Sequence, residues 1–164
     1  MKQPKILIPF TITDIIVEIT GVISLIFFWV MLILNYSKLP QIVPIHYNTQ
    51  GEVDNFGSKM SLIILAIIAT VIFIGLSYFS KKPHLLNYPV EIHSHNAEKQ
   101  YTIATKMLRY LKVSIVWVFL LVFYKTVQIA NGQNDFLGKY FLLITLAIIF
   151  LPITYFIVQA FKAK

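Results

Sequence analysis

Cysteine is absent from this chain, and charged residues are scarce. Without cysteine the protein has no disulfide scaffold and no thiolate chemistry. Charged residues make up 13% of the 164 positions, against about 25% in a typical soluble domain. No basic run is interleaved with stacking aromatic residues, which argues against nucleic-acid binding despite a net charge of +7. No internal repeat or low-complexity segment is present.

Apolar residues, by contrast, form 57% of the chain and fall into four blocks. The blocks span residues 15–36, 61–79, 108–130 and 140–161. Each is close to the roughly 20 residues that a helix needs to cross the hydrocarbon core of a bilayer. We therefore predict one all-α, multi-pass membrane domain over residues 1–164, with four transmembrane helices. The first block is too long for a signal sequence and no cleavage pattern follows it, so we predict no cleaved signal peptide.

Basic residues are distributed unequally between the two sides of the predicted helices. Ten lie on one side: Lys2, Lys5, Lys81, Lys82, Lys99, Lys106, Arg109, Lys112, Lys162 and Lys164. Four lie on the other: Lys38, Lys59, Lys125 and Lys139. Because cytoplasmic loops carry the excess of Lys and Arg, we predict that both termini and the middle loop are cytoplasmic. The loop between the first two helices then faces outward.

Several helix features follow from local pattern. Asp14 is a candidate N-cap of the first helix, and Gly21 and Ser24 share a face suited to helix packing. Glu18, a carboxylate within the first predicted span, is a candidate functional residue. Residues 97–112 predict an amphipathic helix at the cytoplasmic surface, before the third span. The residues 131–135 predict a turn.

The loop between the first two helices holds the residues best able to fix backbone shape or carry chemistry. We select as its motif Pro40, Pro44, His46, Asn48, Gly51, Asp54, Gly57, Ser58 and Lys59. A passive connector needs neither prolines and glycines at fixed places nor a histidine beside carboxylates. Specific function is therefore predicted in this outer loop.

Two short extended segments, 42–48 and 52–56, flank a turn that contains Gly51, which predicts a hairpin. A two-residue turn would place His46 opposite Val53. A three-residue turn at 49–51 instead uses the glycine in the left-handed conformation that such turns favour. We prefer the second register because it explains the glycine.

The preferred register pairs Asn48 with Glu52 and His46 with Asp54 on one face. A His–Asp pair admits three interpretations. In the first interpretation, which we favour, the pair locks the loop or recognises a ligand. In the second, His46, Asp54 and Glu52 bind a divalent metal. In the third, the pair serves acid–base catalysis. Catalysis needs a nucleophile, for which the loop offers Tyr47 and Ser58, and Ser58 is better explained as the N-cap of the second helix. We predict no catalytic residue and no cofactor other than this metal.

The pattern Leu39-Pro40…Ile42…Pro44-x-His46…Gly51…Asp54…Gly57-Ser58-Lys59 resembles the signature of a bacterial membrane family of unknown function. That family forms the N-terminal part of SdpI-type bacteriocin immunity proteins and also occurs as short four-helix proteins. Residues 87–101 are similar to the short members. The resemblance implies a protein of the bacterial plasma membrane that protects against a secreted peptide toxin, and that can signal through a repressor held at the membrane. SdpI-type proteins carry further C-terminal spans that have no counterpart here.

We therefore predict a non-enzymatic binding or sensing module for a membrane-active peptide. Its predicted partners are the lipid bilayer, a secreted peptide toxin and a cytoplasmic regulator, and its short spans are compatible with homo-oligomers. One alternative is a small transporter or permease component, with candidate polar groups Glu18, Asn35, Gln128 and Gln159. Another is a metal-dependent membrane enzyme that uses His46 and Asp54.

Overall fold

The computed structural model describes residues 3–133 and 138–163. Within these ranges four helices are long and apolar enough to cross a membrane: α1 (Ile12–Tyr36), α2 (Met60–Ser80), α3 (Ala97–Ala130) and α4 (Phe141–Lys162). The prediction of four apolar helices is confirmed, and such helices indicate a multi-pass protein in a lipid bilayer. Four residues used in the orientation and turn predictions lie outside the described residues: Lys2, Asn134, Asp135 and Lys164.

Two antiparallel strands connect α1 to α2. They are β1 (Ile42–Tyr47) and β2 (Val53–Ser58). A short 3₁₀ turn at Pro83–Leu85 follows α2 and begins the long loop that leads to α3. The hairpin and this long loop lie at opposite ends of the helices, because the first adjoins the start of α2 and the second its end.

Helix α1 begins three residues before the predicted span, and its N-cap is Thr11 rather than Asp14. Thr11 Oγ1 accepts a hydrogen bond from the Asp14 backbone N–H at 3.3 Å, and Asp14 Oδ2 accepts one from the Thr11 N–H at 2.9 Å. This reciprocal capping box satisfies two backbone donors that the helix itself leaves unpaired. The prediction that Asp14 is the N-cap was wrong because the cap lies three residues earlier, at Thr11, and Asp14 instead occupies the third helical position of the capping box.

Helix α3 is one continuous 34-residue element, in which the predicted amphipathic helix and the third span join without a break. Its first half is packed rather than laid on the membrane surface. Gln100 Nε2 donates to the carbonyls of Ala160 and Ala163 in α4, at 2.8 and 3.0 Å. Arg109 and Lys112 are 2% and 0% exposed, although their sequence pattern predicted a water-facing stripe.

Helix α3 is central to the bundle: it packs against α1, α2 and α4. Helix α1 approaches α2 and the middle of α3 closely because of Gly21. A Cβ atom there would lie 2.8 Å from Phe73 Cε2 and 3.0 Å from Val113 Cγ2, so a side chain would push α2 and α3 away. Ser24, on the same face, is also buried, as expected for small residues at helix contacts in lipid.

A cluster of buried apolar side chains joins the hairpin end of the helices to the hairpin itself. It consists of Phe28, Leu32, Leu39, Val43, Leu62, Ala66, Ala69 and Phe123. Phe28 and Phe123 form its centre, with ring centroids 5.4 Å apart. Val43 of β1 is fully buried in the same cluster, so the hairpin and the helix ends share one core.

Candidate functional site

The turn of the hairpin is organised by Asn48. Its backbone N–H donates to the Glu52 carbonyl at 2.9 Å, and its carbonyl accepts from the Gly51 N–H at 2.9 Å. Its side-chain Oδ1 accepts from the N–H groups of Gln50 and Glu52, both at 2.9 Å, and its Nδ2 donates to Glu52 Oε2 at 2.8 Å. Asparagine side chains commonly fix turns by such local bonds. Thr49, Gln50 and Gly51 thus form the three-residue connection.

Gly51 is required at this turn for two reasons. Its φ of +81° lies in the left-handed region, which strains residues that carry a Cβ. A Cβ there would also lie 2.7 Å from the carbonyl oxygen of Gly138, in the segment before α4. The hairpin tip therefore rests directly on the backbone that precedes the fourth helix.

The strand pairing is irregular, which corrects the predicted direct pairing of His46 with Asp54. The Cα partner of His46 is Asn55, and the register shifts on both sides of His46. Pro44 has no backbone N–H to donate to a ladder, and bulges often occur where a strand must re-aim a side chain. The imidazole nevertheless reaches the carboxylate: His46 Nδ1 lies 2.6 Å from Asp54 Oδ1.

The His46–Asp54 pair lies at the protein surface. The His46 side chain is 67% exposed and the Asp54 side chain 41%. An ion pair this exposed contributes about 0–1 kcal/mol to stability, because water screens it. The pair is therefore poorly explained as a stability device, and both side chains are accessible to a ligand.

Exposed apolar side chains lie on the same two strands as this pair. Ile42, Ile45 and Phe56 are 59%, 43% and 57% exposed. Gly57 allows Ile45 to lie across the partner strand, because a Cβ on Gly57 would approach Ile45 Cδ1 to 2.7 Å. We use the name exposed hairpin face for five exposed side chains of the two strands, Ile42, Ile45, His46, Asp54 and Phe56, which combine apolar area with one polar pair.

Lys59 fastens the hairpin to the end of α1. Its Nζ donates to the carbonyls of Tyr36 and Leu39 at 3.1 and 3.2 Å, and lies 4.7 Å from the centroid of the Tyr36 ring. A cation is favourable there because the last carbonyls of a helix are unpaired and carry partial negative charge.

Ser58 is not the N-cap of α2, which corrects that prediction. The cap position is Lys59, without a side-chain capping bond, and Ser58 Oγ accepts from the Met60 N–H at 3.3 Å. The chain enters α2 straight from a strand, so the serine remains in β2. Of the two prolines in the motif, Pro44 is buried in β1 and Pro40 is exposed before it.

Tyr47 fastens the hairpin to α3. Its hydroxyl lies 2.6 Å from Thr126 Oγ1. Burial raises the pKa of the Tyr47 hydroxyl, and the hydrogen bond to Thr126 offsets part of that rise. The phenol therefore stays protonated at neutral pH and can keep this bond. Together with Lys59, it holds the hairpin against two different helices.

The predicted metal ligands are only partly brought together. His46 and Asp54 are in contact, whereas the Glu52 carboxylate is bound by Asn48. In residues 3–133 and 138–163 no group of three or more His, Cys, Asp or Glu side chains is placed to hold a metal ion. Metal binding by His46, Asp54 and Glu52 stays a prediction.

A second polar cluster, at the opposite end of the bundle, was missed by the sequence analysis. Arg109 Nη1 lies 3.0 Å from Asp14 Oδ1, and Arg109 Nε lies 3.6 Å from Glu18 Oε1. Lys112 Nζ lies 2.7 Å from Glu18 Oε2 and donates to Ser77 Oγ at 2.7 Å. We call Asp14, Glu18, Arg109 and Lys112 the ionic cluster; it joins α1 to α3, and Ser77 adds α2.

The ionic cluster is electrically balanced and shielded. Two cations face two carboxylates, and Asp14, Arg109 and Lys112 are buried. The Phe10 ring lies 4.2 Å from the Arg109 guanidinium carbon and the Phe73 ring lies 4.6 Å from Lys112 Nζ, both in cation–π geometry. The sequence contained one signal that could have predicted the ionic cluster: two apolar helices carry pairs of opposite charge about one helical turn apart. Asp14 and Glu18 are four residues apart, and Arg109 and Lys112 are three residues apart.

Comparison with known proteins singles out the hairpin and the helices that flank it. Residues 23–73 match the model of a family described as Domain of unknown function (DUF1648). The match covers the second half of α1, both strands and most of α2. The segment is thus similar to a domain family whose description gives no activity.

A relative from Archaeoglobus fulgidus, described as an uncharacterized protein, is 32% identical over 77 residues. This similarity covers 42% of the present chain and 42% of the relative, so the chain spans less than half of that protein's length. No solved structure matches the chain. These similarities support a domain family of unknown function and carry no information on ligands or partners.

Proposed function

We propose that this integral membrane protein is a binding module whose hairpin recognises a membrane-active peptide, for sensing or self-protection. The observation that carries the proposal is the exposed hairpin face on a fixed support. The face presents Ile42, Ile45 and Phe56 beside His46 and Asp54. A peptide that partitions to a bilayer surface offers the complementary combination of apolar side chains and backbone or charged polar groups.

Rigidity of the hairpin supports recognition, because a preorganised surface loses little conformational entropy on binding. Three attachments provide it: Val43 in the shared core, Lys59 on the end of α1 and Tyr47 on α3. A flexible connector of the same length would need none of them.

The contacts at the two ends of the bundle support a proposed route for signalling. The hairpin holds α1 and α3 at one end of the bundle, and the ionic cluster holds the same two helices at the other. A peptide that binds one arrangement of α1 and α3 more tightly would shift the population of that arrangement. The loop between α2 and α3 would then present a changed surface to a cytoplasmic regulator. This step, and a location in the plasma membrane of a bacterium, belong to the proposal.

Transport is the alternative, and its candidate residues are dispersed. Glu18 belongs to the ionic cluster, and Asn35 Nδ2 donates to the Met31 carbonyl of its own helix at 2.7 Å. Gln128 Nε2 donates to the Tyr124 hydroxyl at 3.0 Å, and Gln159 lines a groove beside α4. Transport by this chain and metal-dependent catalysis at the outer loop remain predictions that no contact here favours over peptide binding.

The test is sensitivity to a panel of amphipathic and hydrophobic peptide bacteriocins in a susceptible host that expresses the protein. We expect resistance to at least one peptide, and we expect Phe56→Ala to weaken binding of that peptide about tenfold or more. Aromatic residues at the centre of an interface commonly cost at least about 1.4 kcal/mol when truncated, which is that factor.

The matched control is Gln50→Ala, which alters an exposed residue at the hairpin tip outside the exposed hairpin face. It should leave resistance unchanged. Unaltered sensitivity across the whole panel would contradict the proposal, and so would equal effects of Phe56→Ala and Gln50→Ala.

A further inference from the structure

A groove of about 520 Å³ lies between the first turns of α3 and the last turns of α4. Its lining includes Lys99, Ile103 and Lys106 of α3, and Phe156, Gln159 and Lys162 of α4. It lies at the end of the bundle away from the hairpin. Neither the exposed hairpin face nor the ionic cluster uses these side chains.

The charge of this groove is unbalanced. Lys99, Lys106 and Lys162 line it, whereas Glu98 is its one carboxylate. Within residues 3–133 and 138–163 none of these three lysines has a carboxylate within ion-pair distance. An anion at the groove would therefore meet cations that have no close ion pair among the described residues, in contrast to Arg109 and Lys112; Asp14 acts on Lys106 only from beyond ion-pair distance.

The groove is also amphipathic along its length. Lys99 and Lys162 lie at its outer rim, near the helix ends, and Lys106 lies seven residues further along α3, about 10 Å deeper at 1.5 Å per residue. Ile103 and Phe156 provide an apolar wall between these levels, and Tyr155 is an exposed aromatic residue of the kind found at membrane interfaces. Polar groups suited to a headgroup thus adjoin apolar groups suited to glycerol and acyl chain.

We propose that this groove binds an anionic phospholipid, whose phosphate is held at the rim by Lys99 and Lys162 and whose glycerol region contacts Ile103 and Phe156, with Lys106 adding positive charge below them. Gln159 and Thr102 offer polar atoms for the phosphate or the headgroup. Basic pockets between transmembrane helices are recognised sites for such headgroups. A bound lipid would bridge α3 and α4, and α4 otherwise packs mainly on α3.

The experiment is native mass spectrometry of the full chain in detergent, with phosphatidylglycerol and phosphatidylcholine added separately. We expect retention of phosphatidylglycerol well above that of phosphatidylcholine. A triple variant, Lys99→Gln, Lys106→Gln and Lys162→Gln, should lower phosphatidylglycerol affinity about tenfold or more, since each lysine near a membrane surface contributes about fivefold.

The control is a second triple variant with the same change in charge at the same end of the bundle: Lys5→Gln, Lys81→Gln and Lys82→Gln. It should retain the lipid within about twofold, because these residues lie outside the groove. If the first variant fails to fold, Lys99→Gln with Lys162→Gln alone removes only rim charges and should still lower the affinity several-fold.

Three results would overturn the proposal. Equal losses in both triple variants would indicate diffuse attraction between the basic end and any anion. Equal retention of the two lipids would exclude recognition of a negative headgroup. Complete displacement of phosphatidylglycerol by millimolar inorganic phosphate would show that the groove binds a free phosphate and that the apolar wall contributes nothing.

Discussion

Replacing Lys112 with methionine is expected to destabilise the helix bundle by about 3–5 kcal/mol, the usual cost of removing one partner from a buried ion pair. Methionine fits the length of the lysine stem but leaves Glu18 with Arg109 alone, at 3.6 Å. It also removes the donor to Ser77, which links α2 to the ionic cluster. Thermal unfolding in detergent, followed by circular dichroism, measures the loss.

A second substitution separates loss of charge balance from loss of packing. Lys112→Met combined with Glu18→Gln removes one charge of each sign, and this double variant should recover most of the lost stability. Lys5→Met, which changes an exposed lysine at the same end of the bundle, is the control and should change stability by less than about 0.5 kcal/mol. If Lys112→Met and Lys5→Met cost the same, the ionic cluster does not hold α1 against α3.

Replacing Phe28 with alanine is expected to loosen the hairpin as well as the helices. Phe28 is fully buried and packs on Phe123 in the core that also contains Val43 of β1. In soluble proteins such a truncation costs about 3–5 kcal/mol, through lost transfer energy and a residual cavity. Within a bilayer the unfolded helix still lies in an apolar solvent, so packing accounts for most of the loss, and we expect about 2 kcal/mol.

The neighbouring phenylalanine provides the matched control for this experiment. Phe27 is 50% exposed on the adjacent face of α1, so Phe27→Ala should cost far less. Amide hydrogen exchange adds a local measurement: residues 42–58 should lose protection in Phe28→Ala and keep it in Phe27→Ala. Unchanged protection in both variants would mean that the hairpin does not share a core with the helices.

The helices were predictable because the membrane imposes their length and composition. Each observed helix overlaps its predicted apolar block, and the starts of α2 and α4 differ from prediction by one residue. The first half of α3 was misinterpreted for a physical reason. Its charges appear water-facing when one helix is considered alone, because the partners of Arg109 and Lys112 lie about ninety residues earlier in α1.

The hairpin was predictable where local chemistry decides the backbone, and less so where the tertiary structure does. Gly51 in a three-residue turn follows from the left-handed conformation that such turns require. The irregular pairing around His46 did not follow, because a bulge depends on how the strand must be aimed toward the helices. Lys59 and Tyr47 were assigned no contact with α1 or α3, since sequence spacing carries no information on such distant partners.

The structure also changes the charge argument for orientation. Arg109 and Lys112 are neutralised inside the bundle. Eight lysines then remain at the predicted cytoplasmic end: Lys2, Lys5, Lys81, Lys82, Lys99, Lys106, Lys162 and Lys164. The opposite end keeps four, of which Lys59 is bound to helix carbonyls. The bias has the same sign but is smaller, so the outward position of the hairpin has to be measured.

Thiol labelling in intact cells measures it directly, because the chain has no native cysteine and each introduced one is unique. Thr49→Cys places a thiol at the exposed hairpin tip, and Ser94→Cys places one in the exposed loop before α3. With a membrane-impermeant maleimide we predict labelling of Thr49→Cys in intact cells, and labelling of Ser94→Cys only after permeabilisation. The reverse pattern would put the hairpin in the cytoplasm and contradict its role as the surface that meets a secreted peptide.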